Sequence, residues 1–590
     1  MKQIENLLML RTFMGSNNVD ACIIPTSDCH LSEYTAEHWK FREFLTEFTG
    51  SAATLVVTFE EAYLWTDSRY FLQAETELLD SGITLQKLGE PGVPSPEEWL
   101  LEALEPSDTV GIDGRLMSLE QMRNLNKTLK KQDIRLNFSF FAIDNIWLTR
   151  PPIPESPIYD FEDTYHGYPL TKKLAVIRDE MHLLDSTHYI VSGLDEIAWA
   201  LNLRGTDIQY NPLFHAFLII SQTQVLLFIN PHKIPASLGR KLVSENVKIS
   251  TYSDFYTSLK EIKSDSKILI DPFKTNITIY SSLPQNSTKI ESKSIINQLK
   301  SIKTETEIGH LKQSMLYDGL AFTEFWHWLE LNISTGEIDE KNAAQKLHQL
   351  RSVQPGFKGD SFSTISAYGS NGAIVHYTPS KTNSAKLKAD NFYLIDSGGQ
   401  YLTGTTDVTR TLQLGDVSHQ AKIDYTLVLK AHLALAMAKF PKESRGVHLD
   451  TIARSTMWKH GRNYGHGTGH GVGFFLSVHE GPQSLKQVDN GETIQPGMVI
   501  SNEPGIYMPN NYGIRLENLV LTDNSNEFED FLELETLTLI PFDTKPILKE
   551  MLSDEEISWL NNYHKLIFET LKPNLSKELT LFLSSKTTEI

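Results

Sequence analysis

The run Gly465-His466-Gly467-Thr468-Gly469-His470-Gly471-Val472-Gly473 alternates glycine with histidine, and the segment it opens, Tyr464 to Glu517, sets the terms for the rest of the chain. Glycine lets bare backbone come close to another surface while the neighbouring imidazoles are presented to it. Further on stand His479-Glu480-Gly481-Pro482, Ser501-Asn502-Glu503-Pro504-Gly505 and Gly513-Ile514-Arg515-Leu516-Glu517. Neutral imidazole with carboxylate is a donor set for Zn, Mn, Co or Fe. Three histidines and two metal-capable glutamates in one segment imply a shaped site that needs a partner upstream.

That partner is found in Asn391-Phe392-Tyr393-Leu394-Ile395-Asp396, an apolar strand ending in a carboxylate. Ser397-Gly398-Gly399 is expected to turn it, and Thr405-Thr406-Asp407-Val408-Thr409-Arg410-Thr411 to return as a β-branched strand. A hairpin would hold Asp396 and Asp407 near each other, with no basic residue between them to relieve the repulsion. Alone, the pair reads equally as two turn aspartates beside glycine. Joined to a histidine and two glutamates of the downstream segment, it has the number and type of donors for a carboxylate-rich dinuclear site. Two divalent ions about 3.5–4 Å apart share bridging carboxylates. An oxygen-dominated set favours Mn, Co or Fe at least as much as Zn.

The chain has 590 residues, too many for one hydrophobic core, and should divide into two to four domains. A composition of 40% hydrophobic and 22% charged residues is that of an ordinary soluble globular protein. The formal net charge of -20 argues against nucleic-acid or anionic-membrane partners. Cys22 and Cys29 are the two cysteines, in a spacing that fits no metal knuckle, which suggests a reducing compartment. Lys2, Glu5 and Arg11 interrupt any signal-peptide core, and no run approaches the roughly 18 apolar residues of a membrane span. These features predict a cytoplasmic protein.

In chain order, the pattern predicts a helix from Ile4 to Met14, a strand Ala21–Pro25, and paired strands at Thr54–Val57 and Ala62–Trp65. A helix with its apolar face on Phe71, Leu72 and Ala74 should follow. The proline cluster Arg150-Pro151-Pro152-Ile153-Pro154-Glu155-Ser156-Pro157 marks a boundary. Beyond it the order repeats: a helix from Leu174 to Leu184, a strand Tyr189-Ile190-Val191, a helix at Asp195–Trp199, and a buried strand pair at Ala216–Ile220 and Val225–Ile229. Duplication of one α/β module accounts for the match. A polar stretch near Ser292 to Ser301 leads to a helix from about Thr304 to Leu331, with a capping box Thr304/Glu307 and a stripe of Ile308, Leu311, Met315, Phe322 and Trp326. A second helix, Ile338 to Leu350, has Ser334 or Thr335 available near its start. Domains are therefore expected over residues 1–152, 153–301 and 302–590, the last with an extension from about residue 541.

The order Asp396, Asp407, His470, Glu503, Glu517 resembles the ligand order of the pita-bread metallopeptidases. Within them, Gly467–Gly473 and Val478-His479-Glu480-Gly481-Pro482 resemble the three-domain aminopeptidase P, or Xaa-Pro aminopeptidase, family. Asp195–Trp199 with Asn202-Leu203-Arg204-Gly205 is similar to that family's second domain, and Trp65-Thr66-Asp67-Ser68-Arg69-Tyr70-Phe71 to its first. The resemblance implies a mixed α/β and α+β architecture, with two related N-terminal α/β domains followed by a creatinase/aminopeptidase-like pita-bread domain.

It also implies roles. Asp407 and Glu517 would bridge two metal ions, with Asp396 completing one sphere and His470 and Glu503 the other. His376, in Val375-His376-Tyr377, together with His466 and His479 would be further active-site histidines. The implied metal is manganese, with zinc or cobalt as alternatives. The implied reaction removes the residue before a penultimate proline, a hydroxide bridging the ions attacking the scissile carbonyl and Glu503 carrying its proton to the proline nitrogen. His376 and His479 would polarise the carbonyl and line the proline pocket, where the glycines make room for the peptide. Arg515 is expected among the substrate-binding residues and on the same strand face as Glu517, holding a bridging carboxylate or neutralising local charge. Glu480 points away from His479 and reads as structural. A homodimer is expected from the resemblance, and the stripe Ile557, Leu560, Tyr563 and Ile567 offers either a dimer surface or an internal face. The competing readings are a prolidase-type dipeptidase and a metal-free pita-bread binding protein.

Overall fold

A computed structural model describes residues 2–379 and 384–590, and the chain forms two compact units: Met1–Asp163 with Tyr168–Gln298, and Thr164–Gly167 with Leu299–Ile590.

The first unit holds two six-stranded sheets. One runs Thr84–Lys87, Ala62–Thr66, Ala53–Thr58, Ala21–Pro25, Thr109–Ile112, Arg135–Asn137. The other runs Val247–Ser250, Val225–Phe228, Phe217–Ser221, His188–Val191, Lys267–Ile270, Thr288–Glu291. In each, the first strand of the module lies antiparallel to the second on one side and parallel to the fifth on the other. The remaining pairings also agree in sense, sheet for sheet. The repeat read from a short sequence match is thus a repeat of whole topology. Helices Lys2–Ser16 and Leu170–Leu183 open the two modules, the second starting four residues ahead of its expected start.

Two local expectations are corrected. Ala74 is the buried residue of helix Phe71–Glu77, in line with the buried cap residues Tyr70 and Leu78 four positions to either side, while Leu72 is exposed. A helix of two turns has room for one i, i+4 stripe, and the smaller Ala74 holds its centre. Helix Glu340–Ser352 is capped by Asp339 with Asn342, since Ser334 and Thr335 belong to the short turn Ile333–Thr335 that Gly336 closes in a left-handed conformation.

The second unit is built on helix Glu305–Asn332, whose Thr304 and Glu307 form the reciprocal capping box, each side chain accepting the other's backbone N–H. Phe322, Phe325 and Trp326 pack with Tyr393, Ile395, Val408 and Leu412 in one core, and Leu311 and Met315 are buried as expected, while Ile308 is half-buried. Tyr393 and Ile395 face that core, so strand alternation sends Leu394 and Asp396 to the opposite face. The strand Phe392–Ser397 lies between Ile365–Tyr368 and Val408–Gln413, antiparallel to both, with Asp396 opposite Thr409.

The two arms do not turn at Gly398-Gly399. They continue into a second small sheet as Gly399–Tyr401 and Gly404–Thr405, and the reversal falls at Leu402-Thr403. At Gly398 a β-carbon would lie 1.9 Å from the Thr406 carbonyl oxygen, so only glycine lets the arms close there.

A six-stranded sheet runs Phe440–Pro441, Phe531–Thr536, Asn518–Asn524, Val499–Asn502, Gly469–Gly471, Glu480–Leu485. Glu517 immediately precedes one of these strands, Glu503 follows another, His470 is inside a third and His479 precedes a fourth. Because Asn502 pairs with Asn518, Glu503 and Glu517 emerge at the same end of adjacent strands. In the helix Asp554–Leu571, the residues Leu560, Tyr563 and Ile567 are buried within this unit and Ile557 is half-buried, and the Tyr563 hydroxyl donates to the Ile540 carbonyl. That stripe is an internal face and offers no dimer surface. Among the described residues no helix is long and apolar enough to cross a membrane.

Candidate metal centre

Five expected donors converge. Donor atoms of Asp396, Asp407 and Glu517 lie within 4.8 Å of one another, as do those of His470, Glu503 and Glu517, and those of Asp407, His470 and His479. The His470 Nε2 is 3.5 Å from both Asp407 Oδ2 and Glu503 Oε1. Its Nδ1–H donates to the Gly471 carbonyl at 3.0 Å, so Nε2 is the nitrogen that faces the carboxylates, the orientation a metal ligand requires. Thr409 donates its hydroxyl to Glu517 Oε2 at 2.7 Å, while Glu517 Oε1 and Asp396 Oδ1 are buried without a partner.

Such a cluster is electrostatically uncomfortable as it stands. Burial, followed by the charges of Glu517, Asp396 and Glu503, drives the Asp407 carboxyl well above its ordinary range. Burial, then Glu503 and Asp396, does the same to Glu517. Glu503 is pushed up to about 7, again first by burial, against the opposing pull of Arg515. Orphaned inward-facing oxygens, crowded carboxylates and one imidazole in ligand tautomer fit a pair of hard divalent cations, and they fit poorly to any reading without a cation.

Arg515 supplies fixed positive charge. Its Nη2 donates to Asp396 Oδ2 at 2.5 Å, its Nη1 to the Tyr507 hydroxyl at 2.7 Å, and its Nε to Thr409 Oγ1 at 3.2 Å. Burial alone would lower the guanidinium's affinity for its proton, yet Tyr507, Asp396 and Glu503 around it outweigh that and raise it. The expectation that Arg515 shares a strand face with Glu517 is corrected: the strand Tyr512–Arg515 ends at Arg515, and Glu517 lies beyond it, before the next strand. The carboxylate held is Asp396.

The three remaining histidines separate. His479 stands edge-on to His470, ring centres 4.3 Å apart, and belongs to one of the donor groups, closer to the metal cluster than a purely substrate-facing group. His466 is outside all three: its Nδ1–H donates to the Gly467 carbonyl and its Nε2 accepts from the Tyr507 hydroxyl at 2.7 Å. A chain of hydrogen bonds therefore runs Asp396, Arg515, Tyr507, His466. His376 is also outside the donor groups, but the carbonyl of its neighbour Val375 accepts from Arg515 Nη2 at 3.5 Å. Glu480 is buried and paired with Lys300 at 2.9 Å and Lys303 at 3.6 Å, a structural role as expected.

A model of metallopeptidase family M24 matches residues 309–524, and one of the C-terminal region of that family matches residues 530–590. Two models of the creatinase/prolidase N-terminal domain match residues 7–137 and 149–307. Aminopeptidase P2 of Arabidopsis thaliana is 37% identical over 98% of this chain and 87% of its own. The Xaa-Pro aminopeptidase ApepP of Drosophila melanogaster is 40% identical over 97% of this chain and 95% of its own. The chain belongs to the Xaa-Pro aminopeptidase family. The crystal structure of X-prolyl aminopeptidase from Caenorhabditis elegans, described as a cytosolic enzyme with a di-nuclear active site, superposes with a TM-score of 0.96 at 32% identity, covering 100% of both chains.

Within this family member the glycines do something other than expected. A β-carbon on Gly469 would sit 1.8 Å from the Ser501 carbonyl oxygen, and one on Gly471 would sit 2.2 Å from the Glu480 carbonyl oxygen. These positions admit the backbones of adjoining strands, so their glycines serve the sheet and clear no space for a peptide. The segment is further held by helix Gly446–Trp458: Asp450 accepts from Thr468, and Arg454 donates to the carbonyls of Tyr464 and His466. Tyr507, Thr409 and Ser501 escaped sequence reasoning. Only Thr409 and Ser501, whose hydroxyl accepts the His470 N–H at 2.9 Å, carried a signal, each a strand residue two positions from a carboxylate just beyond the strand's end.

Proposed function

We propose that this chain is a metal-dependent exopeptidase that removes the N-terminal residue from peptides with proline in second position, using two divalent metal ions held by Asp396, Asp407, His470, Glu503 and Glu517. The observation that carries the reading is the set of overlapping donor groups, in a chain that matches Xaa-Pro aminopeptidases over nearly its full length. Asp407 and Glu517 would be the shared carboxylates, a role supported by the presence of each in two donor groups. His470 also recurs, but it turns only Nε2 toward the carboxylates, Nδ1 being bonded to the Gly471 carbonyl. Manganese is the proposed metal, with zinc or cobalt as alternatives.

Bound divalent ions supply Lewis acidity, polarising a carbonyl and lowering the pKa of water from 15.7 to about 7. The protein's own groups do the rest. Glu503 takes the proton of the attacking water and delivers it to the proline nitrogen, which must be protonated to leave because the tertiary amide carries no hydrogen. His376 and His479 donate to the scissile carbonyl oxygen as it gains charge. His466 and Tyr507, through Arg515, keep Asp396 oriented. The substrate's free amino group meets Asp396, which confines cleavage to the first residue.

Further parts of the proposal are domain boundaries near residues 152 and 301, the first supported by the interval between family matches that end at residue 137 and begin at residue 149, the second by the division of the two units at residues 298 and 299. A cytoplasmic location is supported by the description of the nematode relative as cytosolic, and a homodimer is proposed on the family resemblance alone. The deciding experiment offers Xaa-Pro and Xaa-Pro-Yaa peptides before and after chelation and Mn readdition. Release of the first residue from the tripeptide, lost on chelation and restored by Mn, is expected. Cleavage of the dipeptide alone would make it a prolidase, and no cleavage in any state would make it a binding protein.

A further inference from the structure

Glu340, the first residue of helix Glu340–Ser352, is fully buried, and both its oxygens are fully engaged. Oε1 accepts the Tyr368 N–H and the Asn371 side-chain amide, both at 2.8 Å. Oε2 accepts the Tyr377 hydroxyl and the Ala385 N–H, both at 2.7 Å. None of these four partners carries a charge. A carboxylate taken out of water is stable only when donors meet it on every side, and the helix N-terminus adds its favourable dipole.

Three of the four donors belong to the segment 368–377 that carries His376. Tyr377, on one side of His376, is tied to Glu340; Val375, on the other, is tied through its carbonyl to Arg515. The same segment touches the strand Tyr512–Arg515 backbone to backbone: a β-carbon on Gly513 would lie 1.6 Å from the Gly372 carbonyl oxygen. His376 therefore hangs between two anchors, one in the metal centre and one at Glu340. We infer that Glu340 is a positioning residue that sets His376 for the reaction. The inference rests on the role proposed above for His376.

The test compares Glu340→Gln and Tyr377→Phe in the wild-type and His376→Ala backgrounds, reading kcat and KM on an Xaa-Pro-Yaa peptide and bound metal per chain. Glutamine places an N–H donor against donors and cannot accept four bonds. Glu340→Gln is expected to lower kcat about 10- to 100-fold with metal content retained, since small misplacements remote from the reacting atoms have effects of that size. In the His376→Ala background the same change should cost less than about twofold, the mark of two residues acting as a unit. Tyr377→Phe, which removes one bond and keeps the carboxylate, should follow the same pattern with a smaller loss, and it decides the matter if Glu340→Gln does not fold. Equal losses in both backgrounds, unchanged kcat, or loss of metal in step with activity would overturn the role of Glu340 alone. Wild-type kcat in His376→Ala would instead overturn the role of His376, and this inference with it.

Discussion

Arg515 and Asp396, 119 residues apart in sequence, meet at 2.5 Å in the middle of a nest of carboxylates. The guanidinium donates to Asp396, to Tyr507 and to Thr409, which itself donates to Glu517. It is buried to 2% exposure, so its charge is little screened. Two parts of the metal cluster thus depend on one side chain that is not a metal ligand.

Replacing Arg515 by alanine leaves Asp396 buried beside other carboxylates with its cation removed. Breaking a buried pair from one side costs about 3–5 kcal/mol. Denaturant unfolding should show a loss on that scale, together with weaker metal retention. Arg515→Lys keeps the charge and loses the fork, so it should recover part of the stability and less of the activity. An unfolding midpoint unchanged in Arg515→Ala would contradict the arrangement.

Glu503→Gln removes the proposed proton carrier while keeping size and shape. Turnover on an Xaa-Pro-Yaa peptide should fall about 10²–10⁴-fold with circular dichroism near wild type, measured on protein whose bound metal per chain matches wild type, so that loss of the proton carrier is separated from loss of a metal ligand. A variant retaining more than about a tenth of wild-type kcat would reassign the proton transfer.

Metal removal should be visible in stability as well as in rate. Asp407 and Glu517 are driven well above their ordinary range by burial and by the carboxylates around them, a repulsion that bound cations relieve. The chelated protein should therefore melt lower, and added Mn should raise the melting temperature in a concentration-dependent way, the folded state gaining about 2.7 kcal/mol at a hundred times the dissociation constant. A melting curve indifferent to chelator and to Mn would remove the metal from the site.

Two buried histidines away from the centre predict acid sensitivity. His432 and His564 are each driven down to about 3, first by burial and then by Arg410. His564 can accept the Phe542 N–H through Nε2 only while that nitrogen is unprotonated. The unfolded chain takes up these protons near 6.5 and the folded chain does not until about 3. Below the unfolded value the unfolded state binds more protons, so stability present above pH 6.5 declines as pH falls towards 3, by about 1.4 kcal/mol per pH unit for each histidine. Neither ring nitrogen of His432 has a hydrogen-bond partner, so His432→Leu removes its titration without stranding a group. Urea unfolding at pH 7 and pH 5 should show a smaller difference in His432→Leu than in wild type; equal differences would count against the assignment.

Much of this molecule was written in short-range pattern. Strand alternation at Phe392–Ser397, the Thr304/Glu307 cap and the repeated helix-strand opening are local consequences of side-chain period and backbone preference, and each appears where the residues put it. The residues that converge in the donor groups, Asp396, Asp407, His470, Glu503 and Glu517, were also legible, because ligand chemistry restricts the residue types and their order resembles that of the pita-bread metallopeptidases. What each glycine approaches was not. Gly469 and Gly471 look the same in sequence whether they admit a substrate or a neighbouring strand, and only the six-stranded sheet shows that Ser501 and Glu480 occupy the space. The turn at Leu402-Thr403, the internal packing of Leu560, Tyr563 and Ile567, and the pairings of Arg515 with Asp396 and of Glu340 with Tyr377 are likewise decided by tertiary structure. Sequence determined which groups this protein can bring to a metal and a peptide bond. The fold decided which of them meet, since the contacts that orient a buried charge join residues far apart in the chain, where no local period connects them.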